Sequence, residues 1–279
     1  MESSRLCPTS GRLPAALQIV HGPVALLGRF FLWADSEARD KGVTLSFASL
    51  EELVAVNRVN SDTWRPLVPL FDPAVGGIDA QTGFALLGRN DAGEVVATQA
   101  ARFYDWSATC FRDEAVSLRM FYADPAAALA RGEGCTVSAP SAKTISGRVV
   151  FSGAGWYRPD YRGKGLATIL PRISRAYAYT RWLTDCTISI FADAVLAGGM
   201  AVRCGYTNVE PASVELVNSP AGTLRLALVS MATAENLADI AAILADATAR
   251  EERRSLSDDS AAQINSDVDD RSAEKARRA

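Results

Sequence analysis

The stretch from Val149 to Thr168, VVFSGAGWYRPDYRGKGLAT, constrains the fold more than any other part of the chain. An apolar, β-prone run enters a glycine-bearing turn, and helix-forming sequence follows at once. Such a turn presents consecutive backbone N–H groups with the positive end of a helix behind them. It can therefore hold a pyrophosphate without a ring of cationic side chains. Gly163 and Gly165 permit close backbone approach, and Arg162 and Lys164 add charge at the rim. Two common phosphate loops do not fit. GxxxxGK[ST] fails because Gly165 follows Lys164, and GxGxxG fails because Thr168 stands where the third glycine belongs. A nucleoside triphosphatase and a Rossmann dehydrogenase are disfavoured.

The flanking pattern extends this unit. Arg148 to Tyr157 reads as a buried strand, Gly165 to Trp182 as a helix, Cys186 to Phe191 as a second strand, and Asp193 to Cys204 as a shorter helix. That alternation implies a parallel βαβ crossover. Leu166, Ile169, Leu170, Ile173 and Tyr177 share one helix face, while Pro171 predicts a kink or a late helix start.

Upstream, Val24 to Lys41 has helical spacing at Leu27, Phe30, Phe31 and Ala34, and Val43 to Phe47 is β-prone. Ser49 and Glu52 form a capping box for a helix whose Leu50, Leu53, Val54 and Asn57 share a face. Pro66 and Pro69 break the stretch from Thr63 to Phe71. Gly83 to Arg89 and Glu94 to Tyr104 flank the turn Asn90-Asp91-Ala92-Gly93, the clearest hairpin signal in the chain.

Residues 105–146 are less regular and read as an insertion. Structure is expected at Ala115 to Tyr122, a helix at Pro125 to Ala130, and a polar loop through Gly132 to Lys143. Val214 to Val217 and Leu224 to Met231 read as strands, and Thr233 caps a helix to about Asp246. The expected organisation is a partly helical N-terminal extension at 1–41, a main domain at 42–247, and a disordered charged tail at 248–279.

Composition narrows the partners. The formal net charge of −3 gives no broad positive field for a polyphosphate backbone, so nucleic acid is not an expected partner. The five cysteines form no CxxC pair and are odd in number, which points to a reducing, cytoplasmic setting and no zinc site. With His21 as the one histidine, neither a histidine triad nor a histidine metal site can be built, and no metal is expected. The apolar run from Leu13 to Trp33 is interrupted by Gln18, His21, Gly22, Pro23 and Arg29, so no transmembrane segment is expected. Glu2 and Pro8 also dilute the basic start that a signal peptide needs.

The pattern Arg-x-x-Gly-x-Ala at Arg162 to Ala167, preceded by Arg158-Pro159-Asp160-Tyr161, resembles the acyl-coenzyme A loop of the GNAT superfamily of N-acyltransferases. Roughly Val43 to Met231 can be laid on that family's order of elements, with Met200 to Tyr206 as its closing helix and Gly-aromatic turn. The resemblance implies an α/β fold: a mixed, mostly antiparallel central sheet, a parallel βαβ crossover at the coenzyme site, and helices on both faces. It implies that Gly155, Trp156 and Tyr157 pair with the pantetheine like an added strand. Arg162, Gly163, Lys164, Gly165, Leu166, Ala167 and Thr168 would hold the pyrophosphate. Acetyl-CoA is the implied acyl donor, and its thioester would lie in a splay between the motif strand and Cys186 to Phe191. The acceptor would be an amine on a small molecule, peptide or protein, attacking directly in a ternary complex.

The chain also departs from the family. Ser152, Gly153, Ala154 and Gly155 occupy the region where a glutamate often lies, and Ala201 falls where many members place a tyrosine acid. Candidate substitutes for the base are Glu114, Asp113, Asp105 and Asp193, and Tyr157 and Tyr206 are candidate proton donors. The catalytic residues are therefore unassigned by sequence. A non-catalytic acyl-CoA-binding regulatory domain is the alternative reading. The acceptor pocket is expected to draw its walls from Thr63 to Ile78 and from the 105–146 insertion. Trp156 either limits the acyl group to short chains or points into the core. Acceptor identity and oligomeric state are not set by the pattern.

Overall fold

In the computed structural model, which describes residues 11–253, helices α1 (Leu13–Ala16) and α2 (Val24–Arg39) lead into strand β1 (Thr44–Ala48) and helix α3 (Leu50–Val59). Ser49 accepts the Glu52 N–H at 3.1 Å and so caps α3 as its spacing predicts. A 3₁₀ turn at Pro69–Phe71 and helix α4 (Pro73–Gly76) precede the hairpin of β2 (Gly83–Arg89) and β3 (Val95–Trp106). Its turn is held by the Asn90 side chain, which accepts the Glu94 N–H at 2.9 Å.

Helices α5 (Phe111–Val116) and α6 (Pro125–Ala130) and strand β4 (Gly134–Val137) follow. Next come β5 (Gly147–Tyr157), α7 (Leu166–Trp182) and β6 (Cys186–Ala192). Helices α8 (Asp193–Ala197) and α9 (Met200–Arg203), strands β7 (Asn208–Ser219) and β8 (Gly222–Ala232), and helix α10 (233–253) complete the described residues.

The strands form one sheet in the order β1-β2-β3-β5-β6-β8-β7-β4. Among the described residues only β5 and β6 run parallel, joined by the α7 crossover, and every other neighbouring pair is antiparallel. Alternation along β2 sorts the two faces. Leu86 joins Leu27, Phe30 and Ala34 of α2, Ile169 and Ile173 of α7, and Ile240 of α10 in one core. Ala85 and Leu87 point the other way, toward Leu53 of α3, Phe71, Phe111 and Phe121. The mixed, mostly antiparallel sheet covered on both faces is the architecture expected from sequence.

Four local expectations differ from the structure. The polar loop at Gly132 to Lys143 contains β4, which pairs with β7 at the sheet edge; it is only four residues long and buries only Cys135. The helix expected at Asp193 to Cys204 is split into α8 and α9 at Gly198-Gly199, where Gly199 has φ +76°. The strand at Val214 to Val217 is part of the longer β7, whose register shifts between Glu210 and Val214 across Pro211 and Ala212. Helix α10 runs past Asp246 to 253, while the rest of the tail expected to be disordered lies outside the described residues.

Pro171 neither delays nor breaks α7. Its missing N–H leaves the Ala167 carbonyl, four residues back, without its helical donor, and the Cys204 thiol donates to that oxygen at 3.7 Å. No described helix is long and apolar enough to cross a membrane.

Candidate coenzyme and transfer site

The pairing of β5 with β6 is short. It joins Val149, Val150 and Phe151 to Cys186, Thr187 and Ile188, yet the strands continue separately to Tyr157 and Ala192. The cause lies in β5, where the register with β3 shifts between Thr98 and Ala100 and Ala154 takes φ +52°. Such a bulge bends its strand and adds twist. The Thr98 hydroxyl fixes it by donating to the Ala154 carbonyl at 2.8 Å. A cavity of about 220 Å³ occupies the resulting wedge, between Gly153 to Gly155 on one side and Ser189 to Ala192 on the other. A methyl group on Gly153 would lie 2.8 Å from Phe151 and 3.0 Å from Phe71, so a larger residue there would disturb the wedge.

At the open end of the wedge β5 passes into the loop. Arg158 is clamped by Asp160 at 2.7 Å and Glu94 at 2.8 Å, which sets the 3₁₀ turn Pro159–Tyr161. Gly163 and Gly165 take φ +78° and +82°, and Gly165 caps α7. The Thr168 N–H donates to Gly165 O at 3.0 Å, whereas the N–H groups of Gly163, Lys164, Gly165, Leu166 and Ala167 have no protein acceptor among the described residues. Lys164 lies over the Tyr161 ring at 3.8 Å. Arg162 is partly engaged, donating to Tyr157 O at 3.1 Å and Thr63 O at 3.4 Å, and its charge stays at the loop.

The other sequence-derived site residues separate into two groups. Gly155 and Tyr157 line the cavity. Trp156 does not: its indole is buried, stacks on Trp64 at 5.4 Å, and donates to the Thr63 hydroxyl at 3.3 Å. Of its two possible orientations, the one directed into packing is therefore realised.

None of the four candidate carboxylates reaches the cavity. Glu114 is bound by Arg119 at 2.6 Å and 3.1 Å, which holds its carboxyl below the usual range. Asp105 is exposed and turned onto Ser107, whose hydrogen bonds lower it. Asp113 and Asp193 are solvent-facing residues in the first turns of α5 and α8. Among the described residues, no carboxylate side chain lines the wedge.

Both tyrosines do line it. Burial raises Tyr157 well above the ordinary phenol value and pushes Tyr206 up to about 12. They sit at different depths. Tyr157 is at the loop end of β5, whereas Tyr206 lines the cavity together with Ser189, one residue beyond the last β5–β6 pair.

Arg175, fully buried, lies over the Tyr206 ring at 5.0 Å and donates to Cys204 O at 2.6 Å. Arg172 donates to Arg203 O at 2.7 Å and to both oxygens of Asp239 on α10, at 2.7 and 2.8 Å. These two arginines fix α9 and Tyr206 against α7.

Sequence reasoning missed two parts of the site, a buried polar chain and the β7–β8 turn. A buried chain runs from Gln99 Nε2 to Ser152 Oγ at 3.0 Å and on to Ser174 Oγ at 3.2 Å. A polar pair, Thr98-Gln99, within the buried run Val96 to Ala101 was the available signal. The strap Trp64 to Val68, part of the Thr63 to Ile78 stretch expected to wall the acceptor pocket, crosses the wedge, and Asn57 holds it by donating to Arg65 O at 2.9 Å and accepting from Leu67 N–H at 3.3 Å. The β7–β8 turn at Ser219 to Ala221 lines an adjoining chamber, and no residue of the 105–146 insertion lines either space, contrary to expectation. The insertion instead packs Phe111, Met120 and Phe121 into the core it shares with the sheet and adds β4 to the sheet's edge.

The strand order, the lone parallel pair and the wedge between its strands are the GNAT-like α/β arrangement that the sequence resemblance implies. No protein-family model and no curated protein matches the chain. Among solved structures it is similar to the aminoglycoside acetyltransferase AAC(6')-Ib in complex with paromomycin and acetyl-CoA, at 14% identity and TM-score 0.38, over 70% of this chain and 95% of that one. It is also similar to NAA60 of Arabidopsis thaliana in complex with acetyl-CoA, at 12% identity and TM-score 0.41, over 68% and 99%. A third is the spermidine/spermine N-acetyltransferase SpeG of Vibrio cholerae, at 11% identity and TM-score 0.41, over 70% and 96%.

Proposed function

We propose that the protein is an acetyl-CoA-dependent N-acetyltransferase acting on an amine. The observation that carries this reading is the wedge in β5–β6 opening directly onto five backbone N–H groups without protein acceptors at the start of α7. The pyrophosphate belongs on Gly163 to Ala167, with the charges of Arg162 and Lys164 beside it. The pantetheine belongs along Gly155 to Tyr157, with Trp156 contributing backbone only.

In the wedge, the amine nitrogen attacks the acetyl carbonyl, and a strand N–H stabilises the oxyanion. The C–S bond then breaks as the C–N bond is completed, and Tyr206 donates its proton to the departing thiolate. The proton released by the nitrogen leaves to solvent and ultimately restores the tyrosine. Tyr206 is preferred to Tyr157 because it stands at the vertex, and burial keeps its phenol protonated through the neutral range. The presence of this proton carrier favours turnover over binding alone.

With no carboxylate lining the wedge, the amine reacts in the fraction already neutral. The test is thiol release from acetyl-CoA as a function of pH, using two amines of different pKa. The rising limb of kcat/KM is expected to follow each amine's own pKa. A limb fixed at one value for both amines would reveal an enzymic base and contradict this mechanism. Absence of thiol release with bound acetyl-CoA would favour the non-catalytic alternative.

A further inference from the structure

The wedge does not end at the strap. A second chamber of about 160 Å³ lies against it, and the two share Arg65, Pro66, Leu67, Val68, Ile190 and Ala192 as walls. Its remaining lining is apolar apart from Ser219: Leu216, Leu224 and Leu226 come from the β7–β8 hairpin, with Pro220 and Ala221 at its turn. The chamber is on the sheet face opposite α7, since Leu216, Leu224 and Leu226 belong with Leu53 and Phe71 rather than with Ile169. It thus lies across the sheet from the helix whose N-terminal loop would hold the coenzyme.

Two features of this space select its occupant. Among the described residues the only charged one lining either chamber is a cation, Arg65, and no aspartate or glutamate lines them. An ammonium group carried into the second chamber would lose its hydration with no carboxylate to replace it and with Arg65 repelling it. An alkyl or aryl group would instead remove its own surface and that of the leucines from water. The walls are also fixed in advance. Asn57 pins the strap at both Arg65 and Leu67, and the Trp64–Trp156 stack anchors its start, so little ordering remains to be done on binding.

We infer that the acceptor is a primary amine with an apolar body and no second positive charge, its nitrogen in the wedge and its alkyl or aryl group in the Leu216–Leu224–Leu226 chamber. This rests on the acetyltransferase reading above and narrows it to a substrate class. Polyamines and other multiply charged amines are excluded as good acceptors. Leu224, half-exposed at the chamber wall, is a specificity-determining residue.

The experiment compares hexylamine with 1,6-diaminohexane, which differ chiefly in a terminal ammonium, by thiol release from acetyl-CoA with the full chain. Hexylamine is expected to be favoured in kcat/KM by about a hundredfold, the scale set by burying an uncompensated charge. Leu224→Asp should narrow or reverse that preference while leaving acetyl-CoA binding unchanged by calorimetry, which also shows that the variant is folded. Equal use of the two amines, preference for the diamine, or reaction of the diamine alone would overturn the inference by itself, whereas no thiol release with either amine on a protein that binds acetyl-CoA would bring down the acetyltransferase reading as well. Tighter binding of octanoyl-CoA than of acetyl-CoA would also overturn it, by assigning the chamber to the acyl chain. Loss of acetyl-CoA binding in the unmodified protein would instead bring down the acetyltransferase reading, and this inference with it.

Discussion

The two walls of the wedge are built on different principles. The wall we assign to the coenzyme is backbone: a bulged strand, two left-handed glycines and the first turn of α7, contiguous within Ala154 to Thr168. The wall we assign to the acceptor is side-chain packing assembled from distant pieces, with Asn57, Trp64 to Val68 and the β7–β8 turn brought together across the sheet. A backbone site tolerates a change in most side chains and fails when φ is disturbed. A packed site should respond the other way, and substitutions can test that contrast.

The largest expected effect is behind the coenzyme wall. Asp239→Ala leaves Arg172 and the fully buried Arg175 without their carboxylate and should cost about 3–5 kcal/mol of stability, the usual penalty for breaking a buried ion pair. Chemical denaturation measures it, and a loss within a few tenths of zero would show that the pair does not hold α7 to α10.

Next is Tyr206→Phe, which keeps the ring under Arg175 and removes the proton. A fall in kcat of about 10²-fold with little change in acetyl-CoA affinity is expected from loss of a general acid. The same variant has a stability signature. Because folding raises the Tyr206 pKa from 10.0 to about 12, its contribution is complete below the ordinary phenol value and is lost as pH rises through about 12. Tyr206→Phe should therefore flatten part of the alkaline loss of stability. An unchanged kcat would move the acid role to Tyr157 or to water.

A smaller effect is expected at Gly165→Val. Valine resists φ +82°, and its Cβ would meet Lys41 Cε at 3.4 Å. A left-handed residue with a side chain costs about 1–2 kcal/mol, so acetyl-CoA affinity should drop roughly tenfold while amine preference is retained. The double change Arg162→Glu with Lys164→Glu should also weaken coenzyme binding, and should make it less salt-sensitive by removing the attractive charges. Intact affinity in the folded Gly165→Val variant would remove the pyrophosphate from this loop.

The same contrast explains what could be read from sequence. The strand, turn and helix of the coenzyme wall are consecutive, so their periodicities and glycines spell them out directly. The α3 capping box and the Asn90 turn are legible for the same reason. Asn57 shows where that legibility ends: it occupies the buried helix face predicted for it, but its reason for being polar lies eight and ten residues on, in the strap it binds. Strand β4 was hidden because an edge strand with one buried residue has no periodic signature, and the late helix start weighed for Pro171 does not occur, its freed carbonyl being met by Cys204 at the end of α9. The chamber at Leu216, Leu224 and Leu226 is assembled by strand order, which local pattern does not encode.

The most direct test of the central claim is calorimetric titration of the folded protein with acetyl-CoA, with NAD and ATP run in parallel. Saturable binding of acetyl-CoA alone, weakened by Gly165→Val, is the expected result. No binding of acetyl-CoA to a folded sample, or equal binding of ATP, would contradict the assignment of the wedge and its loop to an acyl-coenzyme A.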